Sequence, residues 1–235
     1  MEQPNMRVER KPFKVEHDRQ PGFTVVELLV AMVIILIVAG IAVPQFLSMM
    51  HAAKLRGAVS DYASIVQVQR LRAVNDDRFY STYVLPANGI NQAFVDIYPQ
   101  QNNGASGTNG QAYTCGAAGC DPLVILSREV ARQPALNAPN TANLQAQVLP
   151  ANSPVAMQDG GAQATPTTFG PRGLPCTPFA VVGGNVCDSL GGPTAYWVFF
   201  QDIDTQNWGA VTVTPAGRVR RWIYTAGAAP TWRSF

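Results

Sequence analysis

Residues 22–43 read GFTVVELLVAMVIILIVAGIAV, and this stretch decides how the chain is organised. After Gly22, its polar side chains are Thr24 and Glu27. The run is about the 20 residues that a helix needs to cross the hydrocarbon core of a bilayer. A carboxylate near the centre of such a helix costs on the order of 2.5 kcal/mol or more, so acids found there tend to be functional. The sequence therefore predicts a transmembrane helix over residues 23–43 with a functional acid at Glu27.

The segment before this run is polar and charged. Residues 1–22 contain five Lys or Arg and four acids, with no apolar periodicity. They are interpreted as a leader outside the fold, with the N-terminus in the cytoplasm by the positive-inside rule. A secretory signal peptide is the alternative, because residues 39–42 offer small side chains for cleavage. Glu27 within the apolar run argues against it.

A second helical pattern follows Pro44. Leu55, Val59, Tyr62 and Val66 recur at helical spacing, so the helix is predicted to continue to residue 78. Pro44 should kink this helix without ending it. The single apolar stripe of the outer half needs a cover. We therefore expect residues 79–235 to form a head that packs on this part of the helix.

The head has the alternating pattern of strands. Strands are predicted at residues 80–85, 93–98, 195–203, 208–214 and 218–224. The last three, with a Pro-Gly turn at 214–217, form an antiparallel meander. Residues 122–131 fit either a strand or a short helix, residues 99–122 read as loop, and residues 134–178 stay unassigned. The predicted fold class is α+β, with a long N-terminal helix packed on an antiparallel β-sheet with long loops.

The N-terminal motif resembles a known family. Gly22-Phe23-Thr24-Val25-Val26-Glu27-Leu28-Leu29-Val30, followed by an apolar run and Ala42-Val43-Pro44, is similar to the signature of type IV pilins and type II secretion pseudopilins. The motif is specific because it combines a Gly, an aromatic residue, an acid at a fixed distance and the apolar run. The resemblance lies within residues 17–47.

The resemblance implies roles for three residues. Gly22 would be the last leader residue, cut by a prepilin peptidase, and Phe23 would become the N-methylated new N-terminus. Glu27 would stay in the bilayer and pair with the free amine of a neighbouring subunit. A carboxylate and an ammonium stranded in hydrocarbon stabilise each other, which supports that pairing on physical grounds. An ordinary anchor with a stray Glu is the alternative.

Two further segments resemble the GspH/FimT-type minor pilins. Residues 62–80 are similar to the helix end of that group, and AVTVTPAGRVRRW at residues 210–222 is similar to its C-terminal hairpin. Residues 99–178 exceed this pattern and are interpreted as a long insertion. The resemblance implies a minor pilin or pseudopilin. Its partners would be other subunits, a prepilin peptidase/N-methyltransferase and the inner membrane, with the head in the periplasm and later in a pilus or pseudopilus.

Four cysteines indicate an oxidising compartment for the head. Of the three pairings that four cysteines allow, the local one closes two short loops and is preferred: Cys115 with Cys120 and Cys176 with Cys187. A zinc site is the alternative. Neither pair has the spacing of a zinc knuckle and no His lies nearby, so no metal site is predicted.

Basic residues near the C-terminus raise a nucleic-acid alternative. Arg218, Arg220 and Arg221 are interleaved with Trp and Tyr, a composition that can hold a backbone and stack bases. The resemblance also implies DNA binding, which some members of the group use in DNA uptake. A solvated strand face with its aromatics on the core side is the preferred interpretation. The net charge of +2 adds no support for a nucleic-acid partner.

Nothing in the sequence indicates an enzyme. His17 falls in the leader and His51 on the membrane-proximal helix, which leaves no imidazole in the head for a base or a metal. Phosphate loops and the GxSxG and HExxH motifs are missing. Asp202, Asp204 and Asn207 resemble a calcium loop only faintly and are predicted to form a polar turn. No cofactor is predicted, and a membrane-anchored periplasmic enzyme is the rival class.

Overall fold

A computed structural model describes residues 23–77, 79–87, 90–98, 124–162, 165–176, 194–226 and 230–235. The chain divides into two compact units, Met1–Gln45 and Phe46–Phe235. The fold is α+β, with a long N-terminal apolar helix packed on antiparallel sheets, as predicted.

Helix α1 spans Val25–Asn75 and contains Pro44 without ending there. Its predicted bounds, 23 and 78, each lie a few residues too far out. Thr24 precedes the helix and caps it, since its Oγ1 accepts a hydrogen bond from the N–H of Glu27. At the other end Asp77 adopts a left-handed conformation with φ of 51°, which cannot continue a right-handed helix.

The first sheet has five strands in the order β3-β2-β1-β6-β7, all antiparallel. The predicted strands at 80–85 and 93–98 are confirmed as its hairpin. The strand bounds are β1 Phe79–Ala87, β2 Ile90–Tyr98, β3 Val124–Ile125, β6 Thr167–Phe169 and β7 Pro175–Cys176.

The second sheet has the order β11-β10-β9-β8-β4, with β5 pairing parallel to β8. The predicted meander is confirmed as β8-β9-β10. The strand bounds are β4 Val130–Gln133, β5 Met157–Asp159, β8 Ala195–Asp202, β9 Trp208–Val213, β10 Val219–Thr225 and β11 Thr231–Ser234. A 3-10 turn at Ala135–Asn137 and helix α2 at Thr141–Val148 lie in the segment that sequence reasoning left unassigned.

The outer part of α1 packs against both sheets. Leu55, Val59, Tyr62 and Val66 are buried in one core with apolar side chains of β1, β6, β8 and β9. The ring of Tyr62 meets that of Phe200 on β8, with centroids 5.3 Å apart. Contact is close enough that a Cβ on Gly209 would lie 2.6 Å from Val59. The apolar stripe predicted on the helix is therefore the stripe that the head covers.

A second core lies on the other face of β8. Ala195 and Phe199 pack there with Trp208, Trp222 and Trp232 and with apolar residues of and just after α2. Tyr196, Val198 and Phe200 alternate with them and belong to the first core. A strand covered on both faces reads as a continuous apolar run, which explains the AYWVFF sequence of β8.

Helix α2 also covers the backbone of edge strand β11. The amide nitrogen of Trp232 lies 3.5 Å from Oδ1 of Asn143, and its carbonyl oxygen accepts from Nε2 of Gln147 at 3.1 Å. The two amides are one helical turn apart and bond each other at 2.8 Å. Side chains thus take the place that a further strand would occupy beside Trp232.

Candidate processing and assembly segment

The start of α1 has the spacing of a capping box. Thr24 Oγ1 lies 3.2 Å from the backbone nitrogen of Glu27, and Glu27 stands in the first helical turn. The Ser/Thr-x-x-Glu spacing is typical of helix N-termini, where the helix dipole also stabilises a negative charge. Sequence reasoning placed Glu27 inside an apolar run. The helix bounds place it in the first turn, at the N-terminal end of that run, where the helix dipole stabilises its charge in addition to any role in assembly.

The apolar side chains of this segment are not covered by any part of the chain that the structure describes. Phe23 is 82% exposed, and the side chains of residues 25–43 are exposed throughout apart from Ala39, which is half-buried. By length and composition α1 is apolar enough to cross a membrane. Apolar surface of this extent marks contact with lipid or with other proteins. The segment therefore fits a membrane anchor.

Gly22 lies outside the described residues, and Phe23 precedes α1 in a non-helical conformation. The cleavage between them and the pairing of Glu27 with a neighbouring amine stay predictions.

The three arginines of the nucleic-acid alternative do not form one patch. Arg218 is exposed and Arg220 half-buried, whereas Arg221 is held by internal contacts. Its Nη1 donates to Oγ of Ser60 on α1 at 2.9 Å, and its guanidinium lies 5.2 Å from the ring centre of Phe235. Arg221 therefore joins the helix, the last sheet strands and the C-terminal residue.

The aromatic side chains near these arginines belong mainly to the second core. Trp222 and Trp232 are 2% and 1% exposed. Their indole N–H groups donate to Oγ1 of Thr212 and to the carbonyl oxygen of Pro139. The half-buried ring of Tyr224 packs on Trp232 with centroids 5.3 Å apart. These rings lie on the core side of β10 and β11, as in the interpretation preferred from the sequence. The two indoles are not exposed for base stacking.

Cys176 in β7 is disulfide-bonded. Cys115, Cys120 and Cys187 lie outside the described residues, so the predicted pairing stays a prediction.

Two ionic contacts that sequence reasoning missed join α1 to turns of the head. Nζ of Lys54 bonds Oε1 of Glu129 at 2.7 Å, and Nδ1 of His51 lies 3.1 Å from Oδ2 of Asp202. His51 and Asp202 are 151 residues apart. The head therefore does receive an imidazole, from the helix. A local signal existed in the position of both residues: His51 lies one turn before Leu55, where the apolar stripe begins, and Lys54 directly precedes it.

The side chain of Asp202 is buried. Burial acts to raise the pKa of its carboxyl group, but hydrogen bonds from Thr205 and His51 outweigh burial and hold the pKa below its usual range. The predicted polar turn is present, and the carboxylate of Asp202 organises it through the backbone N–H groups of Asp204 and Thr205.

Comparison with known proteins supports the N-terminal motif. The family model described as the prokaryotic N-terminal methylation motif matches residues 17–43. No curated protein and no solved structure matches the chain. The matched residues include Gly22, Phe23 and Glu27, and they run into α1. Residues 17–43 therefore carry the prokaryotic N-terminal methylation motif.

Proposed function

We propose that the chain is a minor pilin or pseudopilin, a non-enzymatic structural subunit of a type IV pilus or of a type II secretion pseudopilus. One observation carries the proposal: the methylation motif at residues 17–43 runs into a helix whose outer part anchors a β-rich head. A processing motif joined to an exposed apolar helix and a folded head is what a membrane-stored filament subunit requires. The similarity of residues 62–80 and 210–222 to GspH/FimT-type proteins supports a minor subunit.

Processing would follow the motif. A prepilin peptidase would cut after Gly22 and methylate the amine of Phe23, with the N-terminus in the cytoplasm and the head in the periplasm. Co-expression with a prepilin peptidase, followed by mass spectrometry of the mature N-terminus, tests this step. We expect N-methylated Phe23 as the first residue and no cleavage of a Gly22→Leu variant. A mature chain that starts elsewhere would contradict the proposal.

Glu27 would set the register of assembly. Its carboxylate would pair with the methylated amine of a neighbouring subunit, because both charges are unstable alone in hydrocarbon. The helix dipole also stabilises an acid in the first turn of a helix, which offers a competing explanation for Glu27. Two variants test the two explanations: Glu27→Gln removes the charge and keeps the length of the side chain, and Thr24→Ala removes the N-cap and keeps the charge.

We expect Glu27→Gln to block incorporation into filaments and Thr24→Ala to retain it, with both heads folded. The readout is the fraction of subunit in sheared filaments relative to the fraction in membranes. Normal incorporation of Glu27→Gln would limit the acid to a local role in the first turn of α1.

The disulfides would suit an extracytoplasmic head. We propose Cys115–Cys120 and Cys176–Cys187, which each close a short loop. Peptide mapping of the non-reduced, alkylated protein should recover both linked pairs. Recovery of a peptide linking Cys176 to Cys115 or Cys120 would replace this connectivity.

The nucleic-acid alternative gains no support from the described residues, since Trp222 and Trp232 are buried and Arg221 is engaged by Ser60. The rival class, a periplasmic enzyme, gains none from the comparisons.

A further inference from the structure

Three metal-ligating side chains converge between α1 and the turn after β8. The donor atoms of His51, Asp202 and Asp204 all lie within 4.8 Å of one another. Nδ1 of His51 is 3.1 Å from Oδ2 of Asp202 and 3.9 Å from Oδ2 of Asp204. The imidazole and the carboxylates come from elements 151 residues apart. This convergence therefore depends on the folded head and is not a run of neighbouring acids.

The central ligand is oriented before any ion arrives. Oδ1 of Asp202 accepts the backbone N–H groups of Asp204 at 3.0 Å and of Thr205 at 2.8 Å. Its other oxygen, Oδ2, is left facing His51. The Asp202 side chain is 0% exposed, whereas Asp204 is 59% exposed. One side of the cluster is thus fixed and buried, and the other is open to solvent and able to adjust.

The charge at the cluster is not balanced by Lys or Arg. Lys54, one helical turn from His51, is engaged by Glu129 at 2.7 Å. Across the part of the chain that the structure describes, no Lys or Arg pairs with Asp202 or Asp204. A buried carboxylate is costly unless a positive charge compensates it. His51 can supply that charge only when protonated, whereas a divalent cation supplies it with the imidazole neutral.

The donor set selects the class of cation. Ca²⁺ takes six to eight oxygen ligands and Mg²⁺ keeps oxygen and water, so an imidazole nitrogen disfavours both. One imidazole with two carboxylates suits Zn²⁺ and related transition cations. Tetrahedral zinc with bonds of about 2.0–2.1 Å places its ligand atoms roughly 3.3 Å apart. The His51–Asp202 separation is near that value, and the exposed Asp204 needs to move by about 1 Å.

We propose that His51, Asp202 and Asp204 bind one divalent transition cation of the zinc type, with an open position for water on the Asp204 side. The ion would tie α1 to the turn between β8 and β9 and so fasten the helix to its head. The site is independent of the processing motif.

The test is zinc binding by the full chain in detergent micelles, produced without a histidine tag. Isothermal titration with zinc chloride should give one site per chain, and calcium chloride should give no comparable heat. His51→Gln keeps a hydrogen-bonding side chain near Asp202 but removes the imidazole ligand, and Asp204→Asn removes one carboxylate. We expect each to weaken zinc binding by at least about tenfold. Lys54→Ala, which alters a neighbouring ion pair without removing a donor, should bind as the unchanged protein does.

A second readout is stability. Zinc should raise the unfolding midpoint of the unchanged protein and of Lys54→Ala, because an ion that binds the folded state stabilises it by mass action. It should not raise that of His51→Gln. Absence of binding up to about 1 mM zinc, or equal binding by His51→Gln, would overturn the proposed metal site. The contact between His51 and Asp202 would then be an ion pair without a metal. Circular dichroism of each variant separates lost binding from lost folding.

Discussion

Arg70, near the end of α1, donates from Nε to the carbonyl oxygen of Gly173, 2.9 Å away and 103 residues on in the sequence. Its Nη2 donates to the carbonyl oxygen of Ala216 at 3.3 Å. Gly173 lies in the turn between β6 and β7 of the first sheet, and Ala216 in the turn between β9 and β10 of the second. One helical side chain therefore ties a turn of each sheet to α1.

Replacing Arg70 by Met should lower the free energy of unfolding by about 1–3 kcal/mol, because two hydrogen bonds from a charged donor are lost. Urea denaturation followed by circular dichroism measures it. The matched control is Arg72→Met, an exposed residue two positions further along α1 with no side-chain bond to the head among the described residues. We expect a change below about 0.5 kcal/mol for the control. Equal changes in the two variants would contradict the bridging role of Arg70.

Two glycine-to-alanine changes should have opposite signs. Gly217 has a φ of 77°, and a Cβ there would lie 2.6 Å from the oxygen of Gly173 and 2.7 Å from Nε of Arg70. Gly217→Ala should destabilise the protein by about 2 kcal/mol or more, through backbone strain and displacement of Arg70. Gly57 lies inside α1 with nothing within 4 Å of the added atom. Gly57→Ala should stabilise by about 0.5–1 kcal/mol. The unfolding midpoints of both variants measure these changes. Midpoints that shift in the same direction would contradict the prediction.

The Lys54–Glu129 ion pair predicts how the stability of the fold changes as the pH falls. The hydrogen bond from Lys54 holds the pKa of Glu129 below its usual range in the folded protein. The stabilisation is therefore present above the ordinary pKa of a glutamate and is lost as the pH falls through the lowered value. Lys54→Met should return the pKa of Glu129 toward its ordinary value. A carboxyl-carbon NMR titration of glutamate-labelled protein would detect this, and an unchanged titration would show that Lys54 is not the cause.

The C-terminal arginines should not confer DNA binding. A gel shift of the full chain in detergent, with double-stranded DNA at low and moderate salt, should show no salt-sensitive complex. The Arg218→Ala/Arg220→Ala double variant serves as the comparison. If the unchanged protein shifts the DNA and the double variant does not, binding without exposed tryptophans is established. The nucleic-acid alternative would then be restored.

The elements that were predicted have a pattern within their own residues. The apolar run and the stripe at Leu55, Val59, Tyr62 and Val66 predicted α1, and the alternation of apolar and polar residues predicted β1, β2 and the meander. The division into two sheets was not predicted, because β1 pairs with β6 across 87 residues between Ser81 and Thr168. Strand alternation carries no information about which distant strand becomes the neighbour.

Other elements lacked a strong pattern. Helix α2, TANLQAQV, has two buried apolar positions, Leu144 and Val148, and its flanks are rich in Pro and Asn. Strand β11 is four residues long. In the segment predicted as one strand or a short helix, the described residues from 124 on form β3, a turn and β4, so neither prediction is correct.

The candidate sites also differ in whether their residues are close in the sequence. The methylation motif lies in consecutive residues and was readable without a fold. The partners of Arg221 and of His51 were not predictable, because Ser60 and Asp202 reach them only when α1 packs on the second sheet.

The amides of Asn143 and Gln147 that cover Trp232 have a consequence for growth of a polymer. An uncovered edge strand invites any extended chain to lengthen the sheet, and such growth has no stop signal and no need for machinery. With that edge closed beside Trp232, another extended chain cannot lengthen the sheet there. Under the proposed function, elongation would be left to the helix, where extraction from lipid would control when each subunit is added.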